Sequence, residues 1–283
     1  MRLAGAAIAA LIVSLTLAGE ARADRWHTVA PHQTLRSIAK RYGCSVAEMK
    51  QANQLDGDRI GAGERLIIPE CDDDDRPRKI ELVDGQSIGK PWHGRLVKPA
   101  RLADGRGYHI RRSYRTYGAT HVVGYVTRAL AEAHKKFPKA HVLAVGDLSQ
   151  KSGGQISDHH SHQTGRDIDI GFFYKKKPAA YPDAFVTAND SNLDCEKTLG
   201  LIERFAASQG KPGGVKMIFL DFGVQGILVR WARDHGWDDD RIERLFQYPH
   251  GRGSSDGLVR HEPNHADHFH VRYNCPPDDD RCE

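Results

Sequence analysis

Two short windows concentrate the side chains best suited to chemistry. Sixteen histidines occur in 283 residues, and seven of them fall within 159–162 and 261–270. The first window reads Ser157-Asp158-His159-His160-Ser161-His162-Gln163-Thr164-Gly165-Arg166-Asp167-Ile168-Asp169. The second reads His261-Glu262-Pro263-Asn264-His265-Ala266-Asp267-His268-Phe269-His270-Val271-Arg272. Alternation through Asp167-Ile168-Asp169-Ile170 and through His268-Phe269-His270-Val271 predicts two strands, because residues two apart in a strand share a face. If the strands are neighbours, imidazoles and carboxylates converge. Such donors suit Zn²⁺, and three protein ligands with one open position mark a catalytic rather than a structural site. A water there becomes a nucleophile near neutral pH. The spacing H-x6-D occurs twice, as His160–Asp167 and His162–Asp169, and spacing alone leaves both open.

Competing chemistries lack their motifs. The chain has no G-x-S-x-G, S-x-x-K or P-loop. Ser161 lies between two histidines, but no glycine-framed elbow surrounds it. His261–His265 has the outline H-E-x-x-H, yet Pro263 and Asn264 resist the helix that motif requires. Arg166 and Arg272 could grip a substrate carboxylate, although salt-bridge partnership is the more ordinary role. Asp167 would support or orient a metal-bound histidine. The isolated His93, His109, His121 and His235 read as surface or satisfied core residues, and His160 and His261 as flanking ones.

The elements that must position these residues follow from patterning. A helix over roughly 120–136 carries Val122, Val126, Leu130 and Ala133. Val142–Val145 reads as a buried strand, and Ser152-Gly153-Gly154 as a loop leading into the first histidine cluster. Helices are expected near 195–209 and 225–235, a strand over 215–220, a short helix over 239–246 opened by Asp238–Asp240, and a late strand over 269–273. Residues 26–69 form a separate pattern: a strand at Trp26–Val29, a helix capped by Thr34, a second helix capped by Ser45 and ended near Asn53, and a closing strand at Leu66–Pro69.

Composition narrows the class. The balance of 41 Lys+Arg against 37 Asp+Glu, net +4, is too even for a dedicated nucleic-acid binder. Residues 1–23 read as a secretory signal: Arg2, an apolar run over Ala6–Ala18, and the A-x-A site Ala21-Arg22-Ala23. No other run is long enough to span a bilayer, so no stable membrane anchor is expected after cleavage. Export permits disulfides. Five cysteines leave one unpaired within the chain, and the expected pairs are Cys44–Cys71 and Cys195 with Cys275 or Cys282. Asp72–Asp75 followed by Pro77 marks a solvated linker.

Two resemblances join these readings. Residues 26–69, through V-x-x-x-x-T-L-x-x-I-A-x-x-Y-G, Asn53-x-Leu55 and I-x-x-G-x-x-L-x-I-P, resemble a LysM domain, which implies binding to N-acetylglucosamine-containing glycans such as peptidoglycan. Thr34, Asn53, Gln54 and Leu55 match the groove positions, with Leu55 also a core candidate. His162, Gly165 and Asp169 with the pair His268 and His270 resemble the lysostaphin/D-Ala-D-Ala carboxypeptidase/hedgehog metallopeptidases. The strings S-H-Q-T-G-R-D-I-D-I and H-A-D-H-F-H-V-R-Y-x-C-P resemble penicillin-insensitive murein endopeptidases. That resemblance implies zinc held by His162, Asp169 and His270, with His159 a further histidine at the metal. It also implies His268 as the proton-handling residue, His265 as another active-site histidine, and hydrolysis of D-alanyl–meso-diaminopimelyl cross-links. The expected architecture is α+β: a signal at 1–23, a βααβ LysM module at 24–70, an acidic linker at 71–79, and at 80–283 a zinc-peptidase domain with a central, mainly antiparallel sheet. The expected location is the periplasm, with secretion as the alternative. Terminal D-Ala carboxypeptidase activity, or wall binding with a purely structural metal, are the alternative functions.

Overall fold

The computed structural model describes residues 25–42, 44, 46–69 and 79–283, in two compact units. The expected signal segment, residues 71–78 of the expected acidic linker (Cys71 among them) and Ser45 lie outside the described residues.

The small unit is βααβ. Strand β1 (Arg25–Thr28) precedes helices α1 (Leu35–Arg41) and α2 (Val46–Asn53), and β2 (Arg65–Ile68) closes it, antiparallel to β1 with Trp26 opposite Ile67. Thr34 opens α1: its hydroxyl accepts the Ser37 amide at 3.1 Å, and the Ser37 hydroxyl accepts the Thr34 amide at 3.0 Å. Apolar positions three and four apart in the helices then meet the alternate residues of β2, burying Leu35, Ile38, Met49, Leu66 and Ile68.

In the large unit, hairpin β3–β4 (Ser87–Lys90, His93–Leu96) and the short β5 (Ala100–Arg101) come first. They are followed by β6 (Tyr108–Ile110), β7 (Tyr117–Gly118) and α3 (Thr120–Lys136). Then come β8 (Leu143–Val145), β9 (Asp167–Gly171), α4 (Cys195–Ala206), β10 (Val215–Leu220), α5 (Phe222–Asp234), α6 (Asp239–Leu245), β11 (Val259–His261) and β12 (His268–Tyr273). The central sheet has the order β11-β10-β12-β9-β8-β6. Its three inner pairings are antiparallel, and the two edge pairings, β10–β11 and β6–β8, are parallel. This is the α+β architecture with a mainly antiparallel sheet.

Helix boundaries follow capping chemistry. Asp194 accepts the Lys197 amide at the start of α4, and Asp238 accepts the Arg241 amide at the start of α6. Helix α5 starts at Phe222 rather than 225, because Asp221 accepts the Gly223 and Val224 amides and sets the start three residues earlier.

One expected disulfide is corrected. Cys275 pairs with Cys282, seven residues apart, and Cys195 is a free thiol buried at the start of α4. The core, and not a bridge, occupies Cys195; burial pushes its pKa up to about 11. Cys44 is buried, and its expected partner Cys71 lies outside the described residues.

Candidate metal centre

Strands β9 and β12 carry the two sequence windows into contact. Their register sets His270 opposite Asp169, Val271 opposite Ile168 and Arg272 opposite Asp167. Ile168, Ile170, Phe269 and Val271 are fully buried in the core. The period of two therefore turns Asp167, Asp169, His268 and His270 to the other face. His162 comes from the turn before β9. It holds a left-handed conformation (φ 65°), and its amide donates to Asp167 Oδ2 at 3.1 Å. Gly165 (φ 68°) lets that turn close: an added Cβ would lie 2.7 Å from Leu96 Cδ2 and 2.8 Å from Gly118 Cα.

Asp169 Oδ1 is the point of convergence. His162 Nε2 and His270 Nδ1 each lie 3.3 Å from it, and His268 Nε2 lies 3.7 Å away. Both close rings are held from behind. His162 Nδ1 donates to the Leu148 carbonyl at 2.8 Å, and His270 Nε2 donates to Asp167 Oδ1 at 2.9 Å. In the neutral rings the nitrogens facing Asp169 therefore carry lone pairs. Asp169 Oδ1 and His162 Nε2 are buried with no hydrogen-bond partner among the described residues. Three electron-pair donors around one point, two of them unsatisfied, require a cation or a proton. In the protein alone, burial disfavours the His162 cation, but the Asp169 and Asp167 carboxylates outweigh it and raise the ring to about 9. The residues thus fit a divalent metal that takes His/His/carboxylate donors, with Asp167 behind His270 as its orienting partner.

The other histidines are graded by their partners. His159, His162 and Asp169 offer ligand atoms all within 4.8 Å of one another. His159 Nε2, however, is 2.9 Å from Asp147 Oδ2 and 3.7 Å from Asp169 Oδ2. Asp147 is fully buried and also binds Arg115 Nη1 at 2.7 Å and Arg112 Nε at 3.0 Å. Burial pushes its pKa up, but these three partners outweigh burial and leave the pKa lowered. His268 Nδ1 donates to Asp267 Oδ1 at 2.6 Å, which turns Nε2 towards the cluster. His265 Nδ1 donates to the Pro263 carbonyl at 2.8 Å, and its ring centre is 4.8 Å from that of His268. Burial, reinforced by His268, lowers His265 to about 4, so it is neutral at neutral pH. His160 is exposed at the rim, so of the two H-x6-D pairs the fold brings His162 and Asp169 together in the cluster and leaves His160 outside it.

Two arginines resolve differently. Arg272 bonds Asp167 through Nε at 2.7 Å. Arg166 is buried and makes no side-chain salt bridge among the described residues. Its guanidinium donates to Cys275 Sγ at 3.2 Å and to the main-chain oxygens of Gly89 and Glu283. His121 is a buried core residue donating to the Asn274 carbonyl, and His235 donates to the Trp231 carbonyl. A cleft of about 390 Å³ opens over the cluster, walled by Trp92, Phe219, Glu262, Asn264 and Arg272. The sequence reading did not single out Trp92, Phe219 or Asp267. The only signal for Asp267 was its place beside His268.

In the small unit, Asn53 is turned inward: its amide nitrogen donates to the Met49 and Ile67 carbonyls at 2.8 Å, and Oδ1 accepts the Ile67 amide at 2.6 Å. Leu55 packs against the small core. Thr34 and Gln54 are exposed.

Fold and site together define an α+β domain with a His/His/Asp candidate metal centre, preceded by a βααβ module. Residues 87–198 match the family model of penicillin-insensitive murein endopeptidases, and residues 27–69 match that of the LysM domain. Curated relatives named penicillin-insensitive murein endopeptidase include one from Haemophilus influenzae, 26% identical over 222 residues (73% of this chain, 70% of the relative). Another is from Salmonella arizonae, 25% identical over 219 residues (70% and 69%). A third, from Yersinia pestis, is 25% identical over 210 residues (70% and 69%). The chain is thus similar to penicillin-insensitive murein endopeptidases over residues 87–198 and to LysM domains over residues 27–69. The family match ends before the second histidine window, which joins the site through the pairing of β12 with β9.

Proposed function

We propose that this protein is an exported zinc peptidase that hydrolyses D-alanyl–meso-diaminopimelyl cross-links of peptidoglycan. In this reading residues 1–23 direct export to the periplasm, 24–70 bind the glycan, 71–79 link, and 80–283 cut. The observation that carries it is the convergence of His162 Nε2, His270 Nδ1 and Asp169 Oδ1 on one buried point at the floor of an open cleft. These three would hold the zinc, which when bound supplies Lewis-acid polarisation of the scissile carbonyl and a nucleophilic water. His159 would join them only by giving up Asp147, so it stands at the edge of the ligand set.

The chain's own residues supply the rest. His268 takes or gives a proton at Nε2, since Nδ1 is committed to Asp267. His265, neutral with Nδ1 on Pro263, offers Nε2 as an acceptor beside it. An endopeptidase is favoured over a carboxypeptidase by the cleft wall. Among the described lining residues Arg272 is the one basic side chain other than histidine, and Asp167 already pairs it. Among the described lining residues no Lys or Arg other than the paired Arg272 faces a substrate's terminal carboxylate. In the LysM domain, Thr34 and Gln54 would face the glycan, with Asn53 and Leu55 shaping the loop. Tethering to glycan raises the local concentration of cross-links without adding contacts at the site. No helix among the described residues is long and apolar enough to cross a membrane.

Mass spectrometry of purified muropeptide dimers, incubated with the mature protein with and without a chelator, tests this. Conversion of dimers to monomers with water added, abolished by chelation and restored by zinc, is expected. Loss of terminal D-Ala alone would make it a carboxypeptidase. Intact dimers from zinc-loaded protein would reduce it to a wall-binding protein.

A further inference from the structure

The hydrogen bond from Nδ1 to the neighbouring Asp267 fixes one edge of the His268 ring but not its plane. A second contact does that. The Phe185 ring lies against His268 with centroids 4.7 Å apart and planes 13° from parallel. The Arg111 guanidinium carbon sits over Phe185, 4.1 Å from the ring centre. Phe185 belongs to the irregular segment between β9 and α4, which is pinned on both sides of it. Arg111 Nε donates to the Asp183 carbonyl at 3.1 Å, and the Ala188 amide donates to the Ala266 carbonyl at 2.8 Å, within the loop that carries His265 and Asp267. The tyrosine hydroxyl of Tyr174 holds the Val186 carbonyl between them. Gly146 makes room: a Cβ there would lie 2.8 Å from Phe185 Cζ and 2.9 Å from Asp169 Cβ. One glycine thus lets the aromatic ring and the carboxylate close in together.

We propose that Phe185, held by Arg111, is a positioning residue that fixes the plane of His268 so that Nε2 addresses the reacting atoms. This rests on the role given to His268 above. An imidazole held by one hydrogen bond can rock about that bond; a near-parallel aromatic face removes the rocking because offset stacking is favourable only over a narrow range of plane angles. The Arg111 cation over the Phe185 ring adds a second contact that holds Phe185 in place. Phe185 touches no substrate in this account, and its effect passes through the orientation of His268.

The test uses the zinc-loaded mature chain as wild type, F185L and F185M. Leu and Met fill the volume without a ring. Three quantities are read: zinc content, kcat and KM on purified muropeptide dimers, and the His268 ring-proton NMR shifts in histidine-labelled protein. Wild type should show an upfield ring-current displacement of the His268 protons. Both variants should lose it, keep their zinc, and show kcat reduced about two- to tenfold with KM little changed, the range expected from losing a stack of ordinary strength. A wild-type kcat in either variant after loss of the ring-current displacement would overturn the proposal. So would a KM effect without a kcat effect, or the absence of the displacement in wild type, a measurement that stands even if neither variant folds. Wild-type protein that cleaves no dimers would instead overturn the reading of the site itself, while the ring-current shift would still report the stack.

Discussion

Replacing Asp167 by Asn tests the claim that one buried carboxylate orients both halves of the proposed metal centre. Asp167 is fully buried and accepts four bonds: His270 Nε2 at 2.9 Å, Arg272 Nε at 2.7 Å and Nη2 at 3.4 Å, and the His162 amide at 3.1 Å. Burial pushes its pKa up, but His270 and Arg272 outweigh burial and hold it far below the usual carboxylate range. It is therefore ionised at neutral pH, and its stabilisation is present above the ordinary carboxylate range and lost only as pH falls through the folded value. Asparagine keeps one acceptor and adds two donors. With its oxygen towards His270, its NH₂ opposes the His162 amide; flipped, it opposes His270 and Arg272. Either way a buried donor loses its partner, and Arg272, whose side chain is 15% exposed, loses its counter-charge. Breaking a buried pair costs about 3–5 kcal/mol. The partial exposure of Arg272 puts D167N near the lower end, about 3 kcal/mol. Removing the partner of a metal-bound histidine costs about 10–100-fold in affinity. Because His162 and His270 are both disturbed, the loss should approach the upper figure. Zinc titration against a chromophoric chelator and urea unfolding of the metal-free protein measure the two effects. Zinc affinity within about twofold of wild type would refute the orienting role; unchanged unfolding free energy would refute the ion-pair reasoning.

Other outcomes follow from the same geometry. H268A should keep its zinc and lose about 10²–10⁴-fold in turnover, whereas H270A and D169A should lose zinc itself; full zinc by elemental analysis in both would refute the ligand assignment. His121 is fully buried and, chiefly through burial, lowered to about 4. Its unfolded state binds a proton first, so stability should be complete above about pH 6.5 and fall by about 3 kcal/mol as pH drops towards 4. His121→Gln should flatten that part of the pH–stability curve. Gly153 holds φ 68°, and a Cβ there would meet the Gln163 carbonyl at 2.2 Å and the Leu96 amide nitrogen at 2.3 Å. G153A should therefore lower stability by about 2 kcal/mol or more in thermal melts, and weaken zinc binding, because Gln163 adjoins His162.

Much of the local structure was legible because its causes are local. Helix α3 and strand β10 follow from apolar periodicity, and the starts of α4 and α6 from acids whose side chains cap the following amides. The short strands β3 to β7 and β11 carried no such signal. They are two to four residues long, some glycine-bearing, and they exist because a neighbouring strand or loop takes their backbone bonds. Phe185 was equally silent: nothing in its neighbourhood distinguishes it from an ordinary apolar loop residue until the fold lays its ring on His268.

The amino-acid sequence alone determined which residues could act: the chemistry of His162, Asp169, His268 and His270, and the period of two that puts each strand's polar residues on one face. Which of them act together was decided by tertiary structure. His160–Asp167 and His162–Asp169 share a spacing, and only the left-handed turn at His162, locked by its amide to Asp167, sends His162 inward and leaves His160 at the rim. His270 meets Asp169 across more than a hundred residues of chain because antiparallel register, set by burial of Ile168, Ile170, Phe269 and Val271, admits no one-residue slip without turning the core face to the cleft. The same holds for the cysteines: pairing depends on which sulfurs the fold brings within bonding reach, and Cys195 is buried in the core away from the bonded pair Cys275–Cys282.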